Sequence, residues 1–103
     1  MKKLIALYET PADTAEFDRH YFSVHIPLVQ RYPGLRRLEI TRIESSPIGE
    51  MKFYLMSEMY FDDKESLEAA LASKEGKAVA RDLLGFAADN VRIFQGDVSA
   101  EGR

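Results

Sequence analysis

His20 and His25 are the only imidazoles in the chain, and they lie five residues apart in one stretch of helical periodicity. At about 100° per residue, His25 falls between two apolar stripes, beside Tyr21, Phe22 and Val29. His20 falls on the more polar side, near Glu16 and Arg19. An imidazole on an apolar face is costly unless its nitrogens are hydrogen-bonded, and it can exchange protons near neutrality. Pro27, two residues beyond His25, has no N–H, so it frees the Ser23 carbonyl from its helical partner. A freed carbonyl near the ring could fix its tautomer. Two readings of His25 stand on these grounds: a satisfied structural histidine at a kink, or a general acid/base.

Other chemistries find little support. The sequence has no cysteine, which excludes disulfides, thiolate ligands and cysteine nucleophiles. Its six glycines are isolated and form no phosphate-binding loop, and nothing matches a nucleophile elbow. His20 with Asp18 and Glu16 has no metal-ligand spacing and reads as a solvated face. No metal or other cofactor is therefore expected. Tyr8, Tyr21, Tyr54 and Tyr60 sit in apolar segments, where a buried hydroxyl needs a partner. Met51, Met56 and Met59 could add adaptable lining. A pocket beginning at the Pro27 kink is expected to meet Tyr8, Tyr21, Phe22 and Tyr54.

The elements that hold these residues follow from periodicity. Leu4 to Tyr8 is a short apolar run that reads as a buried strand. Asp13 or Thr14 caps the next helix, whose stripes are Phe17, Tyr21, Val24, Leu28 and Phe22, Ile26, Val29. Pro27 predicts a kink or a new turn, and Tyr32-Pro33-Gly34 an end. Leu35 to Glu44 alternates loosely, like a strand near a sheet edge, and Lys52 to Phe61 is the strongest strand. On that strand Phe53, Leu55, Met59 and Phe61 share one face, with Tyr54, Met56 and Tyr60 on the other. Asp62 is expected to cap a helix carrying Leu67, Ala70 and Leu71, broken over Ser73 to Gly76. A further helix spans about Lys77 to Ala88 and carries Val79, Leu83 and Phe86; Val91 to Gln95 is a last strand, and the tail from Gly96 reads as loose.

This order predicts one α+β domain over residues 1–97, with residues 98–103 a flexible tail. Its topology is ferredoxin-like βαββαβ, a four-stranded antiparallel sheet with helices on one face. Both central strands are apolar on both faces, and an open sheet face should alternate to polar. A second copy across a two-fold axis, giving a homodimeric α/β barrel, is the expected cover. The net charge of −3, with basic and acidic residues interspersed, speaks against nucleic acid. No segment is long and apolar enough for a membrane, and a cytoplasmic location is expected.

The residues also carry a likeness. Phe17-Asp18-Arg19-His20-Tyr21-Phe22-Ser23-Val24-His25-Ile26-Pro27-Leu28, followed by Tyr32-Pro33-Gly34-Leu35, resembles the EthD family of the dimeric α/β-barrel superfamily. The stretch Leu71 to Asp82, with Phe86, is similar to the family's second helical region. The resemblance implies a homodimer with a pocket between helices and sheet, and it matches the histidine of the family's His-x-Pro motif to His25. Superfamily members include cofactor-free monooxygenases, polyketide cyclases, lactone isomerases and haem-degrading enzymes. The implied function is a cofactor-independent enzyme, an isomerase, monooxygenase or lyase, with His25 as general acid/base acting on a small hydrophobic or aromatic compound. The alternatives are a non-catalytic binding or accessory protein of a degradation pathway and, last, a haem protein ligated through His25.

Overall fold

Alternating burial organises the first strand, β1 (Lys2–Glu9): Leu4, Ala6 and Tyr8 are buried, and the residues between them only half so. A computed structural model describes residues 1–102 of the chain. After β1 come helix α1 (Thr14–His20), a π turn (Tyr21–His25) and helix α2 (Ile26–Val29). Strands β2 (Arg37–Arg42) and β3 (Phe53–Phe61), helices α3 (Lys64–Ala72) and α4 (Lys74–Ala87), and strand β4 (Val91–Asp97) complete the order. The sheet runs β2-β3-β1-β4 with every neighbouring pair antiparallel. This is the ferredoxin-like arrangement of the α+β class, with β1 and β3 central and β2 and β4 at the edges. The core lies between one sheet face and the helices. Leu4, Tyr8, Leu55, Met59 and Phe61 from the sheet meet Phe17, Tyr21, Val29, Leu67 and Val79.

Local chemistry fixes the helix ends. Asp13 accepts from the Glu16 amide at 3.0 Å and so caps α1. At α3 the cap is Asp63, which accepts from the Ser66 amide at 2.8 Å. Asp62, the expected cap, instead pairs with Arg36 at 3.1 Å. The break between α3 and α4 is also tighter than the sequence suggests. Ser73 alone interrupts the helix, donating its hydroxyl to the Ala70 carbonyl (2.6 Å) and accepting from the Gly76 amide (3.0 Å). β4 extends two residues past Gln95, because Lys3 and Lys2 of β1 still offer partners to Gly96 and Asp97.

Two irregularities depart from strict periodicity. In the β1–β3 ladder Tyr8 pairs with Leu55 and Glu9 with Phe53, so Tyr54 is left over in a bulge. The bulge turns Tyr54 to the helix side, where its hydroxyl donates to Asp18 at 2.9 Å and its ring meets Phe17 edge-on. Tyr54 thus leaves the face on which alternation placed it, and Phe53 shares the face of Glu9. The second irregularity is the π turn. The expected disturbance at Pro27 is present, but the helix widens ahead of the proline, with the Ile26 amide donating to the Tyr21 carbonyl.

The sheet face away from the helices is divided. At one end Lys3 pairs with Glu58 at 2.6 Å, and the Tyr60 hydroxyl donates to Glu39 at 3.0 Å. At the other end Leu7 lies between Met56 and Arg92, Ile5 lies opposite the exposed Phe94, and Glu9 pairs with Lys52 at 3.3 Å. The apolar character expected of the whole face is confined to Ile5, Leu7, Met56 and Phe94. No helix among the described residues is long and apolar enough to cross a membrane.

Candidate active site

The π turn decides where the histidines point. On a regular helix residues five apart are rotated by roughly 140° from each other, which would send His20 and His25 to different neighbours. The wide turn takes up one extra residue and brings both imidazoles to one carboxylate, Asp82 of α4. His25 Nδ1–H donates to Asp82 Oδ2 at 2.9 Å. His20 Nε2–H donates to both oxygens, at 2.9 and 3.0 Å. The Phe86 ring, one helical turn beyond Asp82, lies 5.0 Å from the His25 ring and 4.6 Å from that of His20. Side-chain exposure is graded across the set: 4% for His25, 17% for Asp82 and 32% for His20.

A carboxylate only accepts, so it holds each imidazole in the tautomer that donates to it. His25 then carries its proton on Nδ1 and its lone pair on Nε2. Burial holds the His25 pKa below the usual histidine range, with Asp82 opposing the shift and His20 adding to it. A neutral imidazole with a free Nε2 is the form that can accept a proton.

His25 forms part of the wall of a cavity of about 230 Å³ between the helices and the sheet. Leu4, Ala6, Val29, Met59, Val79 and Leu83 make it apolar, and Tyr8, Tyr32, Ser57 and Gln95 supply polar groups. Among the described residues no Asp, Glu, Lys or Arg lines it. Burial raises the pKa of Tyr8 and of Tyr32, so both hydroxyls stay protonated and can donate. Tyr21 stands behind this wall. It is wholly buried with its hydroxyl unpartnered among the described residues. Burial pushes its pKa up to about 12, the nearby Ser57 hydroxyl acting the other way.

The structure therefore brings two of the five expected site residues, His25 and Tyr8, to the cavity, with Tyr21 packed against both. Phe22 and Tyr54 lie elsewhere. Phe22 is 43% exposed, with its ring near the Arg42 guanidinium. Tyr54 is held by Asp18 and Arg42, at hydroxyl distances of 2.9 and 2.7 Å. Sequence reasoning missed Asp82, and it set His20 aside as a solvated residue. The available signal was an acidic residue within the apolar stripe of Val79, Leu83 and Phe86. Among the described residues no group of three or more His, Asp or Glu side chains is disposed to hold a metal ion.

The lowered His25 pKa has a sign for stability. Below about pH 6.5 the unfolded chain protonates this imidazole more readily than the folded one does, so folding becomes less favourable. The contribution is fully present above that pH and is lost as the pH falls toward the lowered folded value. His25→Gln should flatten this part of the acid slope, read by denaturant unfolding between about pH 7.5 and 5.5. An unchanged slope would mean that Asp82 offsets the burial completely.

The EthD domain model matches residues 9–90, a span holding both histidines and Asp82. An 11.0 kDa protein of the thcB-thcC intergenic region in Rhodococcus erythropolis is 35% identical over 94 residues, 91% of each chain. An ethyl tert-butyl ether D (EthD) family protein from Bacillus halodurans is 52% identical, with a TM-score of 0.91 over 94% of this chain and 97% of that one. SnoaB of Streptomyces nogalater, a cofactor-independent oxygenase, shares the fold at 15% identity and a TM-score of 0.71, covering 97% of this chain and 94% of its own. The family match over most of the chain, together with the two close relatives, makes this protein a member of the EthD family.

Proposed function

We propose that the protein is a cofactor-independent acid–base enzyme acting on a small, uncharged, hydrophobic or aromatic compound. His25 Nε2 takes or returns the proton. The observation that carries this reading is a buried imidazole on the wall of an apolar cavity, with its other nitrogen on a carboxylate. Asp82 orients the ring and stabilises the imidazolium formed when Nε2 accepts the proton. The apolar wall keeps water from competing, and Tyr8 or Ser57 can hold a substrate oxygen. A cavity of about 150 Å³ suffices for benzene, so this one fits a single substituted ring or a compact branched molecule. SnoaB, similar in fold, lends support through its cofactor-independent chemistry.

The test is a panel of small phenols, lactones, ketones and ethers, scored for binding by ligand-observed NMR and for consumption by mass spectrometry. Consumption of a bound compound by the wild type, and not by His25→Asn, is the expected result. Binding without consumption across the panel would favour a sequestering protein instead.

The same reading includes a homodimer built on the open sheet face. The apolar end, Ile5, Leu7, Met56 and Phe94, is only half-covered or exposed in one chain. A stable interface buries about 1,600 Å² in total, or about 800 Å² from each copy. Leu7→Asp should convert a dimer to a monomer in light scattering at micromolar concentration, because it sets a carboxylate between Met56 and Arg92 that the sheet of a second copy would have to desolvate. A wild-type monomer under those conditions, or a dimer that survives Leu7→Asp, would overturn the assignment.

A further inference from the structure

We infer that His20 is a positioning residue for the acid–base site: it fixes the Asp82 carboxylate that in turn sets the tautomer of His25. The inference rests on the acid–base reading of His25 given above.

A lone hydrogen bond from His25 would leave the Asp82 carboxylate free to turn about its side-chain bonds. His20 removes that freedom. Its Nε2–H lies within 3.0 Å of both carboxylate oxygens, so one donor straddles the group while His25 takes Oδ2 alone. Oδ2 thereby receives two donors, and the carboxylate is held in one plane between the rings. Phe86 packs on both imidazoles and limits how either can swing.

The backbone points the same way. A regular helix would carry His20 well away from Asp82 once His25 had reached it. Only the wide turn over Tyr21–His25 lets both arrive, and wide turns of this kind occur frequently at functional sites. A surface ion pair worth little on its own gives no reason for such a turn. His20 is also the member nearest to water, lining an open groove with Thr10, Glu16 and Asn90. It touches the carboxylate from outside, while His25 alone reaches the cavity, so His20 acts through Asp82 and not on the ligand.

The experiment reads the two ring nitrogens of His25 by 15N–1H NMR in the intact protein, with no ligand needed. In the wild type, Nδ1 should carry the proton in a single dominant tautomer. His20→Ala and His20→Phe should raise the Nε2–H tautomer of His25 about five- to tenfold, the scale of one lost hydrogen bond. His20→Gln, which keeps an N–H donor on a side chain of similar reach, should restore most of the wild-type ratio. Two independent deletions guard against one of them failing to fold, and Asp82→Asn supplies the reference for a lost carboxylate. If Asp82→Asn shifts the tautomer and neither His20 deletion does, the inference about His20 falls while the reading of His25 stands. If wild-type His25 already carries its proton on Nε2, the acid–base reading itself falls, and this inference with it.

Discussion

Asp82→Asn should lower the turnover of any compound the protein consumes by about 10²–10⁴-fold, the range spanned by general acid–base catalysis. The replacement keeps shape and volume but presents an amide N–H where the carboxylate offered only acceptors. Where the amide nitrogen takes the place of Oδ2, His25 Nδ1 must accept instead of donate, the ring proton moves to Nε2, and the lone pair that faces the cavity is lost. The equivalent change in the serine-protease triad, where an aspartate likewise holds a histidine tautomer, costs about 10⁴-fold. Asp82 does not line the cavity, so ligand affinity should stay within about threefold, well under the 1.4 kcal/mol that a tenfold change represents. Steady-state rates and calorimetric binding on the same preparation check both halves. A variant that turns over normally would remove Asp82 from the mechanism, and one that loses binding in proportion to rate would make it structural.

Gly76→Ala should cost about 1–3 kcal/mol, at the upper end of that range for an overpacked contact. Gly76 opens α4 against the end of α3. A Cβ there would stand 2.2 Å from the Ala70 carbonyl oxygen and 2.8 Å from that of Leu71. Both obstacles are backbone, so neither can rotate away, and the two helices must part. The Ser73 hydroxyl, which ties the junction from both sides, would be pulled with them. A domain of this size loses about 4–8 °C of melting temperature per kcal/mol, so a fall of roughly 10–20 °C is expected in a thermal melt. Gly76 also lines the cavity, and the displaced α4 carries Asp82. Turnover of any compound the protein consumes should therefore fall further than unfolding at the assay temperature accounts for. A melting temperature within about 2 °C of wild type, under half the shift expected for 1 kcal/mol, would show that the junction is looser than this geometry.

Much of the fold was legible because burial leaves a period. The apolar runs of β1 and β3, the looser alternation of β2 and the helical stripes about Phe17 and Val79 each follow from one face meeting the core. What escaped was set by irregularity or by contacts distant in sequence. Tyr54 changes face because a bulge inserts one residue into the ladder, and alternation has no term for that. Asp62 and Asp63 are chemically equal as caps, and only the entry angle of the chain, with Arg36 waiting for one of them, decides between them. The separation of His20 from His25 follows from periodicity only on a uniform helix, and the π turn makes this one irregular. Asp82 was visible as an acid in an apolar stripe, but its partners lie 57 and 62 residues away. His25 itself stood out because an imidazole between two apolar stripes asks for an explanation in any sequence.

The π turn also acts as a phase shifter. Up to Tyr21, where the wide turn begins, the helix presents Phe17 and Tyr21 to Tyr8; past the turn, Ile26 and Val29 are the buried positions. The single supernumerary residue resets the rotation between these two registers. Shortening the segment by one residue would give a more regular helix and put everything after it out of step, with His25 carried away from its carboxylate. The chain has thus tied its chemistry to a count of residues as much as to their identity, and a relative with both histidines but one residue fewer between them would keep the side chains and lose the arrangement.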